Sequence, residues 1–171
     1  MAYFILKNFV LGPLLKLLFR PWIRGMENIP SSGAAILASN HLSYLDVLFL
    51  THFLFRNGRA PRYIGKEGVF KVPVIGKIIL AAGMVPVARE SKDASKALDH
   101  AVKLLERGHC VGVYPEGTLT RDPDGWPMVA KTGCARLALE TDTPVIPIAQ
   151  WGSQLVVPNY TTKLSLFPRK T

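Results

Sequence analysis

Hydrophobic and polar residues alternate along residues 34–149 in blocks whose lengths predict strands and helices in turn. Short apolar runs, typical of buried strands, occupy residues 34–39, 62–65, 84–88, 110–114 and 144–149. The stretches between them predict helices at residues 44–55, 72–82, 91–107 and 133–140. Because strands and helices alternate, we expect an α/β fold with a mostly parallel central sheet flanked by helices.

The N-terminal stretch is the most apolar part of the chain, with the sequence MAYFILKNFVLGPLLKLLFRPWI. Lys7, Lys16 and Arg20 interrupt it, so that it holds no run of about 18 uncharged apolar residues that would span a bilayer. Pro13 is expected to break it into two helical pieces. Basic residues among Leu and Phe, with Trp22 near the end, favour a segment that lies at an anionic membrane surface. The alternative is a helix packed on the core.

The pattern divides the chain into a membrane-associating segment at residues 1–23 and one domain at residues 24–171. A length of 171 residues suits a single domain with a real core. The sequence ends in LSLFPRKT, with a further strand predicted at residues 163–167 and no closing helix after it. We expect the domain to be incomplete at this C-terminus.

Composition and charge narrow the class of partner. Hydrophobic residues make up 49% of the chain and charged residues 19%, which excludes a disordered protein. The net charge of +9 attracts nucleic acid, anionic lipid or a phosphorylated substrate, and the apolar excess favours lipid. No basic-aromatic motif supports a nucleic-acid partner. The only cysteines, Cys110 and Cys134, are expected to be free thiols in a reducing compartment, and no spacing of His and Cys predicts a metal site.

In parallel sheets, ligands bind beyond the carboxyl ends of the strands. This rule draws attention to residues 39–46, to Arg89 and to residues 115–121, each of which follows a predicted strand.

His41 and Asp46 are the first candidates for chemistry at this edge. An imidazole is the usual general base near neutral pH, and a carboxylate on its other nitrogen fixes the tautomer. On one continuous helix the two side chains would lie roughly 140° apart, so the pair requires His41 in a loop and Asp46 in the first helical turn. Ser43 and Asp46 also fit a capping box, which leaves open that Asp46 caps the helix and that His41 is an ordinary loop residue.

A second group of residues suggests an anion site. The segment Glu116-Gly117-Thr118 follows a predicted strand, and its glycine suits a turn or a close approach to a ligand. Four cations lie near predicted strand or helix ends and are candidates for binding phosphate: Lys66, Arg89, Arg121 and Lys131. The alternative for each of them is a solvated surface residue.

These segments together resemble the glycerolipid acyltransferases, specifically the bacterial lysophosphatidic acid acyltransferases. Four blocks stand in the order of that family: Asn40-His41 with Asp46 in a His-x4-Asp signature, residues 83–89, residues 114–118 and residues 143–148. The resemblance covers residues 23–149. The family commonly has Arg after the Thr of its third block, where this chain has Leu119, so that Arg121 is the candidate to replace that cation.

The resemblance implies transfer of a fatty acyl group to the free hydroxyl of lysophosphatidic acid, which gives phosphatidic acid. By the same resemblance, His41 is the general base and Asp46 its orienting partner, while Arg89 and Glu116-Gly117-Thr118 bind the acceptor. The acyl donor would be acyl-CoA or acyl carrier protein, used as a co-substrate with no bound cofactor and no metal.

Two other functions stay open at this point. One is an acyltransferase that acts on another lysolipid or on glycerol-3-phosphate. The other is a non-catalytic lipid-binding module for anionic membranes. In each case we expect peripheral or monotopic attachment to the cytoplasmic face of a membrane.

Overall fold

The computed structural model of this chain describes residues 13, 22–71, 73, 75–81, 84–87 and 93–161. Most of the predicted membrane-associating segment at residues 1–23 and the whole predicted strand at residues 163–167 lie outside these ranges. Within them, every helix is too short or too polar to cross a bilayer.

Five parallel strands form one sheet in the order β3-β2-β4-β1-β5. Their bounds are Ala35–Ser39 for β1, Pro61–Lys66 for β2, Val85–Val87 for β3, Cys110–Val113 for β4 and Val145–Ile148 for β5. Each of the five strands predicted between residues 34 and 149 is confirmed to within one residue at either end. The predicted α/β class with a parallel sheet is therefore confirmed.

The helices follow the strands as the sequence pattern predicts, with one addition. They are α1 at Asp46–Arg56, α2 at Glu67–Phe70, α3 at Ile75–Ala81, α4 at Asp93–Glu106 and α5 at Gly133–Thr141. Two short 3-10 helices span Met26–Asn28 and Ser153–Leu155. The short α2 was not predicted. Helix α1 begins two residues later than predicted, because residues 43–45 form a turn ahead of it.

Strand β1 is buried on both faces, as expected for a central strand of a parallel sheet. Successive side chains of a strand point to opposite faces. Ala35 and Leu37 therefore pack against Leu50 and Leu54 of α1, while Ile36 packs on the other side against a cluster from α4, α5 and β4. That second cluster consists of Ala101, Leu105, Val111, Cys134 and Leu137. Full burial of a large apolar side chain contributes about 1.5–3 kcal/mol, so these two layers fix the sheet between its helices.

The strand order decides which loops meet at the carboxyl edge of the sheet. In the register of the sheet, Ala38 of β1 lies beside Val113 of β4 and Ser39 lies beside Ile148 of β5. The loops that follow these three strands, at residues 40–45, 114–132 and 149–152, therefore start next to one another. Strand β3 is different, because β2 and β4 separate it from β1.

Candidate active site

His41 lies in the loop after β1, outside helix α1, as the paired arrangement with Asp46 requires. Its Nδ1 is 2.9 Å from Oδ2 of Asp46, the first residue of α1. The same carboxylate oxygen accepts the backbone N–H of Leu42 at 2.6 Å and that of Ser43 at 2.9 Å. The loop is thus wound around Asp46, and this winding brings two side chains five positions apart into contact.

The predicted capping box is only half present. Asp46 does accept the backbone N–H of Ser43, as an acidic residue does in that motif. The Ser43 hydroxyl, however, donates to the carbonyl oxygen of Val157 at 2.8 Å and accepts the N–H of Leu45 at 3.3 Å. Ser43 is therefore not the N-cap, which is Leu45 without a side-chain bond. The prediction failed because a segment more than a hundred residues away supplies a better acceptor for the hydroxyl.

The Asp46 carboxylate is fully buried and fully hydrogen-bonded. Its second oxygen, Oδ1, accepts the hydroxyl of Ser153 from the 3-10 helix after β5. An ionised carboxylate in such a place needs these donors, because burial of an unpaired charge is costly. Its position at the start of α1 also matches the positive end of the helix dipole.

The imidazole of His41 is held by contacts on several sides. Its ring stacks on Tyr114, with 4.0 Å between the ring centroids and 23° between the planes. The backbone N–H of His41 donates to Oε1 of Glu116 at 3.1 Å, and its carbonyl oxygen accepts the N–H of Thr120 at 2.8 Å. The side chain keeps 15% of its surface exposed. With Nδ1 engaged by Asp46, Nε2 is the ring nitrogen that can exchange a proton with a bound molecule.

Glu116 braces the loops that surround His41. Its side chain is buried, and its Oε2 accepts the N–H of Met128 at 2.9 Å while Oε1 holds the N–H of His41. Both carboxylate oxygens are therefore bonded to the chain itself. This arrangement favours a bracing role for Glu116 over the predicted contact with the acceptor.

The next residues, Gly117 and Thr118, continue the turn. Gly117 has a φ of +74°, and a Cβ on it would lie 2.9 Å from Nζ of Lys131. The predicted need for glycine at this turn is confirmed, since side chains rarely adopt this conformation. The backbone N–H of Lys131 donates to the carbonyl oxygen of Pro115 at 2.9 Å, which brings Lys131 beside the turn. Thr118 is half-buried.

Asn40, the residue before His41, ties the first loop to the third. Its side-chain amide forms two hydrogen bonds with the backbone of Gln150, at 2.9 Å and 2.7 Å. The Gln150 side chain in turn donates to the hydroxyl of Ser39 at 2.9 Å.

Burial raises the pKa of Tyr114 well above its usual range, Tyr63 and Asp46 raise this pKa further, and a hydrogen bond from Gln150 opposes the rise. The phenol under the imidazole is therefore neutral.

Comparison with known proteins shows which family the chain belongs to. The sequence profile named Acyltransferase matches residues 20–151. The chain belongs to the acyltransferase family.

Individual relatives agree with this assignment. The chain is 34% identical over 138 residues to the chloroplastic 1-acyl-sn-glycerol-3-phosphate acyltransferase BAT2 of Brassica napus, covering 80% of this chain and 38% of that protein. It is 28% identical over 132 residues to the 1-acyl-sn-glycerol-3-phosphate acyltransferase of Borreliella burgdorferi, covering 77% of this chain and 51% of that protein. This chain therefore spans about half or less of the length of these relatives.

A solved structure shows the same fold. The crystal structure of the 1-acyl-sn-glycerophosphate acyltransferase PlsC from Thermotoga maritima is similar to this acyltransferase domain, with a TM-score of 0.71 and 26% sequence identity. The similarity covers 93% of this chain and 65% of that one. The predicted resemblance to bacterial enzymes of this family is thereby confirmed.

Of the four predicted phosphate-binding cations, three lie among the residues that the structure describes. Lys131 is exposed beside Gly117, and Arg121 is exposed in the same loop. Lys66 is the last residue of β2, at the carboxyl edge of the sheet. Arg89 lies outside the described residues. Leu119, which stands where the family commonly has Arg, is only 3% exposed and so belongs to the packed interior of the loop.

Three contributors to the site were not predicted from the sequence: Tyr114 under the His41 ring, Ser153 on Asp46, and Gln150 against Asn40. The rule that ligands bind beyond strand ends could have pointed to Gln150 and Ser153. Residues 149–153 follow β5 as directly as residues 115–121 follow β4.

Proposed function

We propose that this chain transfers a fatty acyl group from acyl-CoA or acyl carrier protein to the free hydroxyl of lysophosphatidic acid, giving phosphatidic acid. The observation that carries the proposal is the contact between Nδ1 of His41 and buried Asp46 at the carboxyl edge of the sheet. Support for the acceptor comes from the relatives, which are named 1-acyl-sn-glycerol-3-phosphate acyltransferases.

The contact geometry suggests direct transfer with His41 as general base. Nδ1–H of His41 donates to Asp46, so Nε2 carries the lone pair that accepts the proton of the acceptor hydroxyl. The hydroxyl oxygen then forms a bond to the thioester carbonyl carbon. When the tetrahedral intermediate collapses, the carbon–sulfur bond breaks. The leaving thiolate then takes the proton from the imidazolium, which regenerates the neutral imidazole. The Asp46 carboxylate stabilises the imidazolium while it exists.

The oxyanion of the intermediate needs hydrogen-bond donors, and several backbone N–H groups near His41 are already engaged by other acceptors. The N–H groups of Leu42, Ser43 and Leu45, ahead of α1, are bonded to Asp46 and to the Ser43 hydroxyl. The N–H of Gly117 donates to the carbonyl oxygen of Tyr114 at 2.9 Å. These N–H groups already have acceptors in the chain, so the oxyanion needs other donors.

We propose that the phosphate group of the acceptor is bound by Lys131 and Arg121 on the loop after β4, together with Lys66 and Arg89. Lys131 is supported best, because its ammonium group lies beside Gly117, in the turn that contains Glu116. We further propose that residues 1–23 bind an anionic membrane from its cytoplasmic face, on the basis of their composition.

The test is His41→Ala, assayed as transfer of a labelled acyl group to lysophosphatidic acid from each of the two donors. Loss of a general base lowers the rate by about 10²–10⁴. His100→Ala is the matched control, since His100 is an exposed histidine on α4, and its rate should equal that of the parent. A His41→Ala rate within a few-fold of the parent would remove His41 from the mechanism.

A second candidate acceptor is another lysolipid or glycerol-3-phosphate. The buried Leu119 favours a lysolipid that lacks a free phosphate monoester, because this position cannot provide the cation that the family commonly has there. A panel of acceptors with one acyl thioester separates the candidates by kcat/KM. A chain that binds anionic vesicles but releases no thiol from acyl-CoA with any acceptor would instead be a non-catalytic lipid-binding module.

A further inference from the structure

A column of aromatic rings runs from the core of the domain to His41. Tyr63 of β2 stacks on Tyr114, with 6.0 Å between the ring centroids and 16° between the planes, and Tyr114 stacks on His41. We call Tyr63 and Tyr114 the tyrosine column. Tyr63 is only 2% exposed, in the cluster that includes Leu50 and Leu54 of α1, and Tyr114 packs against that cluster. The imidazole is therefore backed by two rings that are anchored between the sheet and α1.

Gly112 makes room for the tyrosine column. In the register of the sheet, Tyr63 of β2 lies beside Gly112 of β4, two residues before Tyr114. A Cβ on Gly112 would lie closer than 3.0 Å to three atoms of the Tyr63 ring. Because residues two apart along a strand point to the same face, the ring that lies over Gly112 comes to rest beside Tyr114. The column therefore requires a residue without a side chain at position 112.

The bond to Asp46 leaves one motion of the His41 ring free. It joins Nδ1 of His41 to Oδ2 of Asp46 at 2.9 Å, and a hydrogen bond from this nitrogen lies near the plane of the imidazole. Rotation of the ring about that bond would preserve it and yet swing Nε2 away. Tyr114 blocks this rotation, because a ring whose centroid is 4.0 Å away leaves no room for the imidazole to turn edge-on. The two contacts together fix the direction of the Nε2 lone pair.

The stack on Tyr114 also affects the charge that His41 acquires when it takes up a proton. The face of an aromatic ring has a negative potential and attracts a cation within about 6 Å of its centroid. Among the described residues, the titratable groups in contact with His41 are Asp46 of α1, at Nδ1, and two residues after β4: Tyr114 at the ring face and Glu116 at the backbone N–H. Burial raises the pKa of Tyr114, so its phenol is neutral and acts on the imidazolium through the ring face.

We propose that Tyr114 is a positioning residue for acyl transfer, whose ring, backed by Tyr63, fixes the plane of the His41 imidazole and stabilises its protonated form. This inference rests on the proposed function, in which His41 is the general base. If the column served only to fill space, a leucine at position 114 would act as well as a tyrosine. The geometry requires an aromatic face there.

The test removes the aromatic face and keeps a large apolar side chain, with Tyr114→Leu in the whole chain. Its kcat should fall about 3-fold to 30-fold, as expected for loss of a cation–π contact, with an unchanged KM for the acceptor. Because the protonated imidazole becomes less stable, the acid limb of the kcat/KM profile should move to lower pH by about 0.5–1.5 units. Tyr114→Phe keeps the face and should retain both values to within about twofold. Tyr114→Met repeats the test with a more adaptable side chain.

Leu54→Ala is the matched control for lost packing. Leu54 is fully buried on α1, in the cluster against which Tyr114 packs, and its truncation removes no aromatic ring. It should lower the midpoint of urea unfolding at least as much as Tyr114→Leu, because it leaves a cavity, and should not move the acid limb. An acid limb that stays in place in Tyr114→Leu, or that moves as far in Leu54→Ala, would overturn the proposal and leave the column as packing alone.

A measurement without acyl transfer separates this inference from the proposed function. The Cε1–H resonance of His41, assigned by its loss in His41→Ala, should move downfield in Tyr114→Leu and stay in place in Tyr114→Phe, because a stacked ring shields it. The pH at which this resonance is half-titrated should fall by the same 0.5–1.5 units or so in Tyr114→Leu. Both changes in a chain that acylates no acceptor would refute the proposed function and keep the role of Tyr114. Transfer that depends on His41, with neither change in the resonance, would refute the role of Tyr114 alone.

Discussion

Asp46→Asn tests the central pair without removing the loop that holds it. The carboxylate accepts four hydrogen bonds, from Nδ1 of His41, the N–H of Leu42, the N–H of Ser43 and the hydroxyl of Ser153. Three of them converge on Oδ2. The amide oxygen of Asn should take that place, and its NH₂ group should face the Ser153 hydroxyl, which can rotate to accept. An Ala would leave these buried donors unsatisfied and would test folding rather than chemistry.

The expected fall in kcat follows from the negative charge that Asn removes at position 46. Two unit charges about 4 Å apart at an effective dielectric of about 20 attract by about 4 kcal/mol, which corresponds to about 10³ in rate at 1.4 kcal/mol per decade. We therefore expect kcat to fall by up to about 10³ while KM for the acceptor stays the same. Stability should fall by about 2 kcal/mol, because hydrogen bonds to a neutral acceptor are weaker than those to a carboxylate.

The assay combines steady-state acyl transfer with urea unfolding of the same preparation, so that loss of rate is measured on folded protein. Asp99→Asn is the matched control, because Asp99 is an exposed acid on α4. If folded Asp46→Asn retained a rate within about fivefold of the parent, stabilisation of a His41 imidazolium could not be the rate-determining contribution that the geometry implies.

Three further substitutions test the supporting contacts. Glu116→Gln should lower kcat and stability with an unchanged KM for the acceptor, because both oxygens of Glu116 bind the backbone of the chain; a raised KM alone would restore the predicted contact with the acceptor. Ser153→Ala leaves Oδ1 of buried Asp46 without its donor and should cost about 1–3 kcal/mol in urea unfolding, with Ser153→Thr as the rescuing variant. Burial raises the pKa of folded Tyr114, so the unfolded state loses this proton first and stability should fall as pH rises above about 10. Tyr114→Phe should remove that part of the alkaline decline, and an unchanged decline in urea titrations at several pH values would contradict the assignment.

Sequence pattern was sufficient for the fold because each strand is a short apolar block between polar turns. Strand β1 illustrates this: Ala35, Ile36 and Leu37 are all buried, and a run that is apolar on both faces is what a central parallel strand requires. Helix α2 was missed because its four residues are too few to show a helical period. The order of the strands in the sheet could not be derived either, since it depends on pairing between residues far apart in sequence.

For the site, local sequence identified the pair of His41 and Asp46 but not the residues that support it. His41 and Asp46 are five residues apart, and the chemistry of that short segment is visible in one chain. Ser153 is 107 positions from Asp46, and its hydroxyl reaches the carboxylate only because β5 pairs with β1 and the loop after β5 turns back over the edge. Ser43 shows the converse, since its local pattern predicted a cap and a distant carbonyl group at Val157 took its hydroxyl instead.

These long-range bonds also explain why a loop can serve as the centre of an active site. A loop residue such as His41 normally has more conformational freedom than one in a helix or strand. Here its nitrogen, its carbonyl oxygen and its ring are each fixed by a different residue: Glu116, Thr120 and Asp46. Asn40 adds two bonds to the loop after β5. The loops after β1, β4 and β5 therefore behave as one unit, so that substitutions such as Glu116→Gln or Ser153→Ala should change the rate without touching the acceptor.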